Sequence, residues 1–302
     1  MDIIKDKYYE VSEFYDWALS ISDPRVKDWF LMQSIVPTLV TTIAYIIIVL
    51  AGMKFMEKRE PVKLGNFLFY YNIALVILNL HIFTQVIYYT TKAGYNYSCQ
   101  TVVYTDDENE LQIAKALWWF YFSKCLEMLD TIFFVLRKKN NQVSFLHVYH
   151  HASMFPLWWI GVKWVAGGQS FFGAMINSFI HVLMYGYYGL SALGPHMQKY
   201  LWWKRYLTMM QLIQFVVGIA HAAQSLVRQC EFPMWMQWAL VFYAFTILCL
   251  FLNFYFHAYI KSVRRKASKK ESNGTVKSSK ANGHISNDKS TINGHVETKK
   301  HK

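Results

Sequence analysis

The chain lacks several features that would place it in common classes of protein. Residues 1–28 contain Asp, Glu, Lys and Arg throughout and no apolar core, so we do not expect a removable signal peptide there. No Ser-x-Gly elbow is evident, and Cys125 lies off the polar face of its segment, which leaves no obvious serine or cysteine nucleophile. Charged residues make up only 17% of the 302 residues, whereas 54% are hydrophobic and 18% aromatic. This composition predicts an all-α polytopic membrane protein and not a soluble globule.

Seven apolar segments have about the 20 residues that a helix needs to cross a bilayer. They cover residues 35–55, 66–89, 116–136, 143–162, 170–190, 206–227 and 235–259. Polar side chains dilute the fourth and fifth of these segments. We therefore expect seven transmembrane helices within residues 35–260.

Positive charge is concentrated in alternate loops. Lys and Arg gather between the first and second segments, the third and fourth, the fifth and sixth, and after the seventh. By contrast, the loop at residues 90–111 is acidic. Under the positive-inside rule, residues 1–34 form a lumenal segment and the C-terminus is cytosolic. An odd number of spans agrees with this orientation.

The loops assigned to the lumen carry two marks of an oxidising compartment. Cys99 and Cys230 lie in two different loops and can form a disulfide, with two free thiols as the alternative. Asn96 begins the N-glycosylation sequon Asn-Tyr-Ser on the same side.

Residues 261–302 are rich in Lys, Ser, Asn and Gly and poor in apolar residues. This composition predicts a disordered, basic cytosolic tail. Lys299 and Lys300 near its end resemble the dilysine retrieval signal of endoplasmic reticulum membrane proteins, and a chance match in so basic a tail is the alternative. We expect a multi-pass protein of the endoplasmic reticulum membrane.

Three histidines lie on one face of the fourth segment. If the segment is helical, His147, His150 and His151 fall within about 100° of one another. Ionisable groups inside a membrane are costly and usually face a polar interior, where they bind something or do chemistry. The alternative is that they line a wet vestibule and only form hydrogen bonds.

Neighbouring segments contribute polar side chains at the same depth, in the cytosolic half of the bilayer. At about 1.5 Å per residue, these side chains and the histidines lie in one slab, so we expect a polar chamber open to the cytosol. Pairing among the charges of the third segment is the structural alternative. The side chains are Lys124, Glu127, Asp130 and Thr131 of the third segment, Asn177 and His181 of the fifth, and Thr208, Gln211 and Gln214 of the sixth.

These motifs resemble, in order, those of the ELO family of very-long-chain fatty acid elongases. The resemblance covers all seven segments, and residues 136–146 and 161–169 are most similar to one subtype, although Ala152 stands where that subtype has Cys. It suggests long, polyunsaturated acyl chains as substrates. The matching motifs are Lys124-x-x-Glu127-x-x-Asp130-Thr131, His147-x-x-His150-His151, Asn177-x-Phe179-x-His181-x-x-Met184-Tyr185-x-Tyr187-Tyr188 and Thr208-x-x-Gln211-x-x-Gln214.

The resemblance implies an acyltransferase that performs the condensing step of microsomal fatty acid elongation. A long-chain fatty acyl-CoA and malonyl-CoA give a 3-ketoacyl-CoA two carbons longer, with release of CO₂ and CoA. It further implies seven helices, six of which form a barrel around a narrow tunnel, with no metal and no cofactor besides the two CoA substrates. The implied partners are membrane lipid, the reductases and dehydratase of the same cycle, and further elongase subunits in a homo- or hetero-oligomer. No nucleic acid is implied.

The resemblance also assigns roles to the histidines. A neutral histidine is a competent acyl acceptor, and His150 is the implied nucleophile, which forms an acyl-imidazole. His147 and His151 orient or deprotonate it, and His181 assists the malonyl step.

Other polar residues complete this implied site. Glu127 and Asp130 belong to the catalytic motif, and Lys124, Asn177 and Gln211 are candidates to stabilise developing negative charge. A basic ring at the predicted mouth suits the phosphates of coenzyme A, although the same charges also serve topology. The ring consists of Arg137, Lys138, Lys139, Lys204 and Arg205.

Two other classes of function fit parts of the pattern. A di-iron membrane desaturase or hydroxylase also carries His-x-x-His-His, but it needs more histidine boxes than the one that this chain combines with His181. A seven-span receptor or transporter has to explain the gathering of charges and histidines on three segments. Product formation that depends on malonyl-CoA distinguishes all three functions.

Overall fold

A computed structural model describes residues 2–261, which form helices and loops without any strand in that range. A 3-10 turn at Pro24–Val26 follows the first helix, another at Pro195–Tyr200 precedes the eighth, and a π-helical turn at Phe256–Lys261 follows the ninth. The chain divides into two units, Met1–Asn253 and Phe254–Lys302. The α-helices are α1 Asp2–Ser20, α2 Val36–Met56, α3 Gly65–Lys92, α4 Glu108–Glu127, α5 Leu129–Leu136, α6 Phe145–Trp164, α7 Ser170–Ala192, α8 Lys204–Val227 and α9 Met234–Tyr255.

Four helical stretches are long and apolar enough to cross a membrane. They are α2, α3, α8 and the stretch Met234–Lys261, which match the first, second, sixth and seventh predicted segments. The expected all-helical, multi-pass membrane class is therefore confirmed. The other three predicted segments are helical too, as α4 with α5, α6 and α7.

The third predicted segment, residues 116–136, is helical as expected but is interrupted at one residue, so it consists of two consecutive helices and not one. The chain breaks at Met128, between α4 and α5. The Tyr71 hydroxyl of α3 donates to the carbonyl oxygen of Leu126 at 3.0 Å, and this is the oxygen that the amide of Asp130 would contact in a continuous α-helix. A side chain inserted into the helical ladder in this way bends or breaks a helix.

The helices pack around a core shared by α2 to α7. α3 packs along both α4 and α7, α2 packs against α5 and α6, and α8 packs against α7. The ring of Tyr121 in α4 stacks on Phe155 of α6 at 4.7 Å between centroids, and both rings are buried. Because α4 packs against both α6 and α7, side chains of α4 can contact polar groups of either helix inside the bundle.

A buried ionic network joins the segment after α1 to the loops at that end of the bundle. Arg25 contacts Asp23 at 2.6 Å and donates to the carbonyl of Ala166 at 3.0 Å, while Glu110 accepts from the Tyr95 hydroxyl at 2.7 Å. Burial alone lowers the pKa of Arg25, but the hydrogen bond and charge of Asp23 outweigh it and raise the pKa above its usual value. Burial also raises the pKa of the Glu110 carboxyl, although Tyr95 and Arg25 oppose that shift.

Cys99 and Cys230 form a disulfide between loops that are 131 residues apart in sequence. Gln169 donates to the carbonyl of Ser98 beside it at 3.2 Å, so the loop before α7 supports the same junction. Cys125 and Cys249 are free thiols. Asn96 is exposed, and its side chain accepts from the amide of Ser98 at 2.7 Å.

We expect thiol reagents to leave Cys99 and Cys230 unmodified until the protein is reduced. Joint replacement of both by Ser should lower stability, since closing so long a loop stabilises by about 4–5 kcal/mol on the chain-entropy argument. Peptide mapping after labelling, and thermal unfolding in detergent, measure the two effects. Cys249→Ser is the matched control, because that thiol is exposed and free. Full labelling of both loop cysteines without reductant would contradict the bridge.

Candidate active site

Four polar side chains from α4 and α7 form a buried cluster. The Lys124 ammonium lies 3.0 Å from each oxygen of Glu127 and 3.0 Å from Oδ1 of Asn177. Oε1 of Glu127 also contacts Nδ1 of His181 at 3.0 Å. Lys124 and Glu127 are three residues apart and Asn177 and His181 four apart, so each pair shares one face of its helix. The two faces meet, and each of the four residues is at most 8% exposed.

The described contacts of Lys124 do not support the stabilising role expected of it. Its ammonium has three hydrogens and no lone pair, and its contacts to Glu127 and Asn177 use them. Lys124 therefore holds these two residues and has no hydrogen left for a substrate. The same contact fixes the Asn177 amide with Oδ1 toward Lys124, which leaves its Nδ2 hydrogens as the donors of this cluster.

His181 and Glu127 form an oriented pair. A carboxylate only accepts hydrogen bonds, so Nδ1 of His181 carries the hydrogen in this contact. Nε2 of the neutral ring is then an acceptor with a fixed direction. His181 is therefore held as a base, in the way that a carboxylate orients a catalytic imidazole.

The histidine box occupies the first two turns of α6. Ser144 caps this helix, and its hydroxyl accepts from the amide of His147 at 3.2 Å, a typical N-cap contact. The ring centroids of His147 and His151 are 4.5 Å apart, and those of His150 and His151 are 5.3 Å apart. The three rings are neighbours, as the predicted helical face requires.

His147 is anchored to the rest of the bundle, whereas His150 is not. Nε2 of His147 lies 2.9 Å from the hydroxyl of Thr131 in α5. Within residues 2–261 no side chain or backbone group forms a hydrogen bond with the ring of His150. The ring of His150 neighbours that of His151, with 5.3 Å between the centroids. An imidazole nitrogen without a hydrogen-bond partner among the described residues is what an acyl acceptor needs.

Asp130 lies on the other side of the helix break at Met128. Its carboxylate accepts from the Tyr185 hydroxyl at 2.8 Å, and Tyr71 lies beside it. Asp130 is thus bound to a tyrosine of α7, with a tyrosine of α3 alongside it, and has no described contact with Lys124. It also faces a cavity.

That cavity has a volume of about 550 Å³ and lies between α3, α5, α7 and the loop after α5. Asp130 lies at its wall, and Arg137, Lys139 and Gln142 line it as well. Phe134 belongs to the same lining, and its ring centroid is 5.3 Å from that of His147. A single aromatic side chain therefore connects the cavity wall to the histidine box.

The structure separates the five basic residues that were grouped at the predicted mouth. Arg137 and Lys139 line the cavity. Lys138 turns away with φ 55° and donates to the carbonyl oxygens of Glu57 and Arg59 at 3.0 and 3.1 Å, so it ties down the loop before α3. Lys204 and Arg205 are exposed at the start of α8 and do not line this cavity.

Gln211 lies apart from the Lys124 cluster. Its Nε2 contacts the sulfur of Met184 in α7 at 3.5 Å. The amide of Gln211 therefore faces this methionine and not the charged groups of Lys124 and Glu127. The hydroxyl of Thr208 donates to the carbonyl of Lys204 at 3.3 Å. The described contacts of Gln211 therefore do not support the stabilising role expected of it.

Sequence reasoning missed two tyrosines of the site. Tyr71 breaks the helix before Asp130, and Tyr45 of α2 contacts Thr131 at 2.8 Å. Both occur inside strongly apolar segments, where a tyrosine ring is interpreted as an ordinary residue of the hydrophobic core. The one available signal was that a tyrosine hydroxyl buried at that depth needs a hydrogen-bond partner.

The fold and this cluster define a multi-pass helical membrane protein with histidines and charges inside its bundle. Residues 30–267 match the family described as ELO: GNS1/SUR4 family. The chain therefore belongs to the ELO family.

Named relatives agree with that assignment. The chain is 55% identical to very long chain fatty acid elongase 4 of Homo sapiens over 274 residues, 91% of this chain and 87% of that protein. It is 47% identical to elongase 2 of Mus musculus over 274 residues, with 90% and 91% covered. It is 44% identical to elongase 5 of Bos taurus over 279 residues, with 91% and 92% covered. The subtype expected from residues 136–146 and 161–169 is that of the elongase 4 relative, so this expectation is confirmed.

Proposed function

We propose that this chain condenses a long-chain fatty acyl-CoA with malonyl-CoA to a 3-ketoacyl-CoA two carbons longer, releasing CO₂ and CoA. Membership of the ELO family and the names of the relatives support this reaction. The observation that carries it is the buried cluster of Lys124, Glu127, Asn177 and His181, together with a His150 ring in the same bundle that neighbours His151 and has no described hydrogen bond. The names of these relatives support neither the hypothesis of a di-iron enzyme nor that of a transporter.

In the first half-reaction, a ring nitrogen of His150 attacks the thioester carbonyl carbon. The new N–C bond forms, the C–S bond breaks, and the CoA thiolate leaves. The proton lost from the acylated imidazole goes to a neighbouring base, for which His151, whose ring is 5.3 Å from that of His150, and His181 are the candidates. Nε2 of His181 is the better oriented of the two, because Glu127 holds its ring.

In the second half-reaction, malonyl-CoA loses CO₂ and the electron pair of the broken C–C bond becomes a thioester enolate. The enolate carbon attacks the acyl carbonyl on His150, and a new C–C bond forms as the N–C bond to the imidazole breaks. The departing imidazole nitrogen takes back the proton that the neighbouring base received in the first half-reaction. The Nδ2 hydrogens of Asn177 are the proposed donors to this charge, because Lys124 holds the amide with its oxygen turned away from them. Fixed donors directed at developing negative charge are usually the largest contribution to catalysis of this kind.

The cavity beside Asp130 supports a binding site for coenzyme A phosphates. Arg137 and Lys139 line it, and cations of this kind form charge-assisted hydrogen bonds with phosphate. Lys138 of the same loop is occupied by two backbone carbonyls. The proposal therefore retains two of the original five basic residues as phosphate ligands.

Replacing Arg137 or Lys139 by Ala should raise KM for both CoA substrates about 10-fold and leave kcat unchanged, because uniform binding is lost. Initial rates against each substrate measure this effect. Lys138→Met is the matched control, since it removes the same charge from the same loop without touching the cavity. An equal rise of KM in the Lys138 variant would contradict the assignment.

The wider arrangement is part of the same proposal. The seven helical segments α2, α3, α4 with α5, α6, α7, α8 and α9 supply the proposed seven spans, six of which form the barrel around an acyl tunnel. The N-terminus is then lumenal and the C-terminus cytosolic, in the endoplasmic reticulum membrane. The disulfide at Cys99 agrees with an oxidising side for its loop. The retrieval signal at Lys299 and Lys300 and the tail after Lys261 lie outside the described residues.

The proposed function is tested with the purified protein in detergent or vesicles. Radiolabelled malonyl-CoA should give a labelled 3-ketoacyl-CoA only when an acyl-CoA is also present. Product formation that needs iron and molecular oxygen, and that ignores malonyl-CoA, would overturn the proposal in favour of a di-iron enzyme.

A further inference from the structure

Tyr45 is the buried polar residue of α2 that reaches the histidine box. The outer face of this helix exposes residues such as Ile43 and Ile47, and α2 bears no residue of the four family motifs. Tyr45 itself is only 3% exposed. Its hydroxyl lies 2.8 Å from the hydroxyl of Thr131.

Thr131 continues this contact to the active site. Its side chain is fully buried, and its hydroxyl lies 2.9 Å from Nε2 of His147. Tyr45, Thr131 and His147 therefore form a continuous chain of hydrogen bonds from α2 through α5 to α6. These are the described polar contacts of the Tyr45 hydroxyl and of the Thr131 hydroxyl.

The direction of the chain follows from the inventory of hydrogens. Thr131 has one hydroxyl hydrogen, which points either at Tyr45 or at His147. If it points at Tyr45, the phenolic hydrogen has no acceptor within residues 2–261, and an unsatisfied buried donor is costly. Tyr45 therefore donates to Thr131, and Thr131 donates to His147.

We propose that Tyr45 is a positioning residue of the active site, which acts through Thr131 to hold His147 in one neutral tautomer. In that tautomer Nε2 of His147 is the acceptor and Nδ1 carries the hydrogen. The partner of one ring nitrogen sets the state of the other. The ring of His147 lies 4.5 Å from that of His151, which in turn neighbours that of His150. The tautomer of His147 therefore determines which of its ring nitrogens is a donor and which is an acceptor next to the nucleophile and its neighbour. The inference rests on the proposed function of that box.

The chain offers a matched control for this role. Tyr121 of α4 is also buried, and its hydroxyl lies 2.6 Å from that of Thr38 in α2. Tyr45 and Tyr121 each form a hydroxyl pair with a threonine across the interface of α2. The pair of Tyr121 does not continue to a histidine. Removing its hydroxyl should therefore lower stability without the proposed effect on catalysis.

The test compares Tyr45→Phe with Tyr121→Phe in the full-length protein. Both variants lose one buried hydrogen bond, so their thermal midpoints should fall by similar amounts. Tyr45→Phe should in addition lower kcat about 5- to 10-fold, the loss expected for one hydrogen bond, with KM for acyl-CoA within about 2-fold. Tyr121→Phe should keep both constants. Equal kcat values in the two variants would overturn the proposal.

A second comparison separates a relay from two independent contacts. Thr131→Ser keeps the hydroxyl and should retain activity, whereas Thr131→Val should lose as much as Tyr45→Phe. The double variant Tyr45→Phe with Thr131→Val should be no slower than Thr131→Val alone, because residues in one network are not additive. If the loss of kcat in the double variant equals the product of the losses in the two single variants, the relay is overturned. Full activity in His147→Ala would instead overturn the proposed role of the box itself.

Discussion

Replacing His150 by Ala should abolish both the acyl-enzyme and the elongated product, with a loss in kcat of more than about 10³-fold. The ring of His150 has no hydrogen-bond partner within residues 2–261 and its described ring contact is with His151, so its removal breaks no described hydrogen bond of the fold. The loss should therefore appear in activity and not in thermal stability. Initial rates with labelled malonyl-CoA, together with unfolding curves in detergent, separate the two effects.

Two further histidine variants serve as controls for this result. His147→Ala should retain a trace of product, because an orienting residue matters less than the nucleophile. His81→Ala should behave as wild type, since His81 is exposed on α3, away from the cluster. Retention of a tenth or more of the activity in His150→Ala would contradict the assignment of the nucleophile.

Replacing Glu127 by Ala should have the largest effect on stability of any change in the site. Lys124 and Glu127 are 1% and 0% exposed at their side chains, so the change leaves a buried ammonium without its counter-ion. Removing one partner of a buried ion pair typically costs about 3–5 kcal/mol. Activity should also be lost, because His181 no longer has the carboxylate that orients it. Denaturant unfolding and initial rates measure the two losses.

A double variant separates the structural effect from the chemical one. Lys124→Met with Glu127→Leu removes both charges and fills their space, and such replacements are often neutral or stabilising. We expect this protein to be more stable than Glu127→Ala and still inactive. Glu108→Ala, an exposed change in the same helix, should alter neither property. An active double variant would show that Glu127 has no role beyond balancing the charge of Lys124.

The sequence allowed the apolar helices to be placed closely. The segment predicted at residues 35–55 is α2, Val36–Met56, and the one predicted at 206–227 lies within α8, Lys204–Val227. Here the length of the apolar run decides where a helix begins and ends, and this information is local. The shared helical face of His147, His150 and His151 was equally accessible, because it follows from helical spacing alone.

Features that depend on another helix were not accessible in this way. At the interruption at Met128, the hydroxyl of Tyr71 in α3 bonds the carbonyl of Leu126, and no pattern within residues 116–136 reveals this contact. The same holds for Lys138, whose direction is set by two carbonyls of the loop before α3. A sequence shows which residues carry charge, whereas the neighbours decide which hydrogen bonds remain for a substrate.

Lys124 illustrates the same limit inside the site. Its spacing from Glu127 predicted an ion pair, which is present. The contact with Asn177 of α7, which uses the remaining hydrogen of the ammonium, could be seen only in the folded chain. Because of this contact, the Nδ2 hydrogens of Asn177, and not the ammonium of Lys124, are the proposed donors to a substrate.

The central claim is that His150 accepts the acyl group before malonyl-CoA reacts, and mass spectrometry tests it most directly. The wild-type protein is incubated with acyl-CoA alone, digested, and the peptide that contains residues 147–151 is analysed. The predicted result is one acyl group on an imidazole nitrogen of His150, with release of no more than one equivalent of CoA per chain. An unmodified peptide at every pH, from protein that is fully active once malonyl-CoA is added, would contradict covalent catalysis and leave the histidines as general bases.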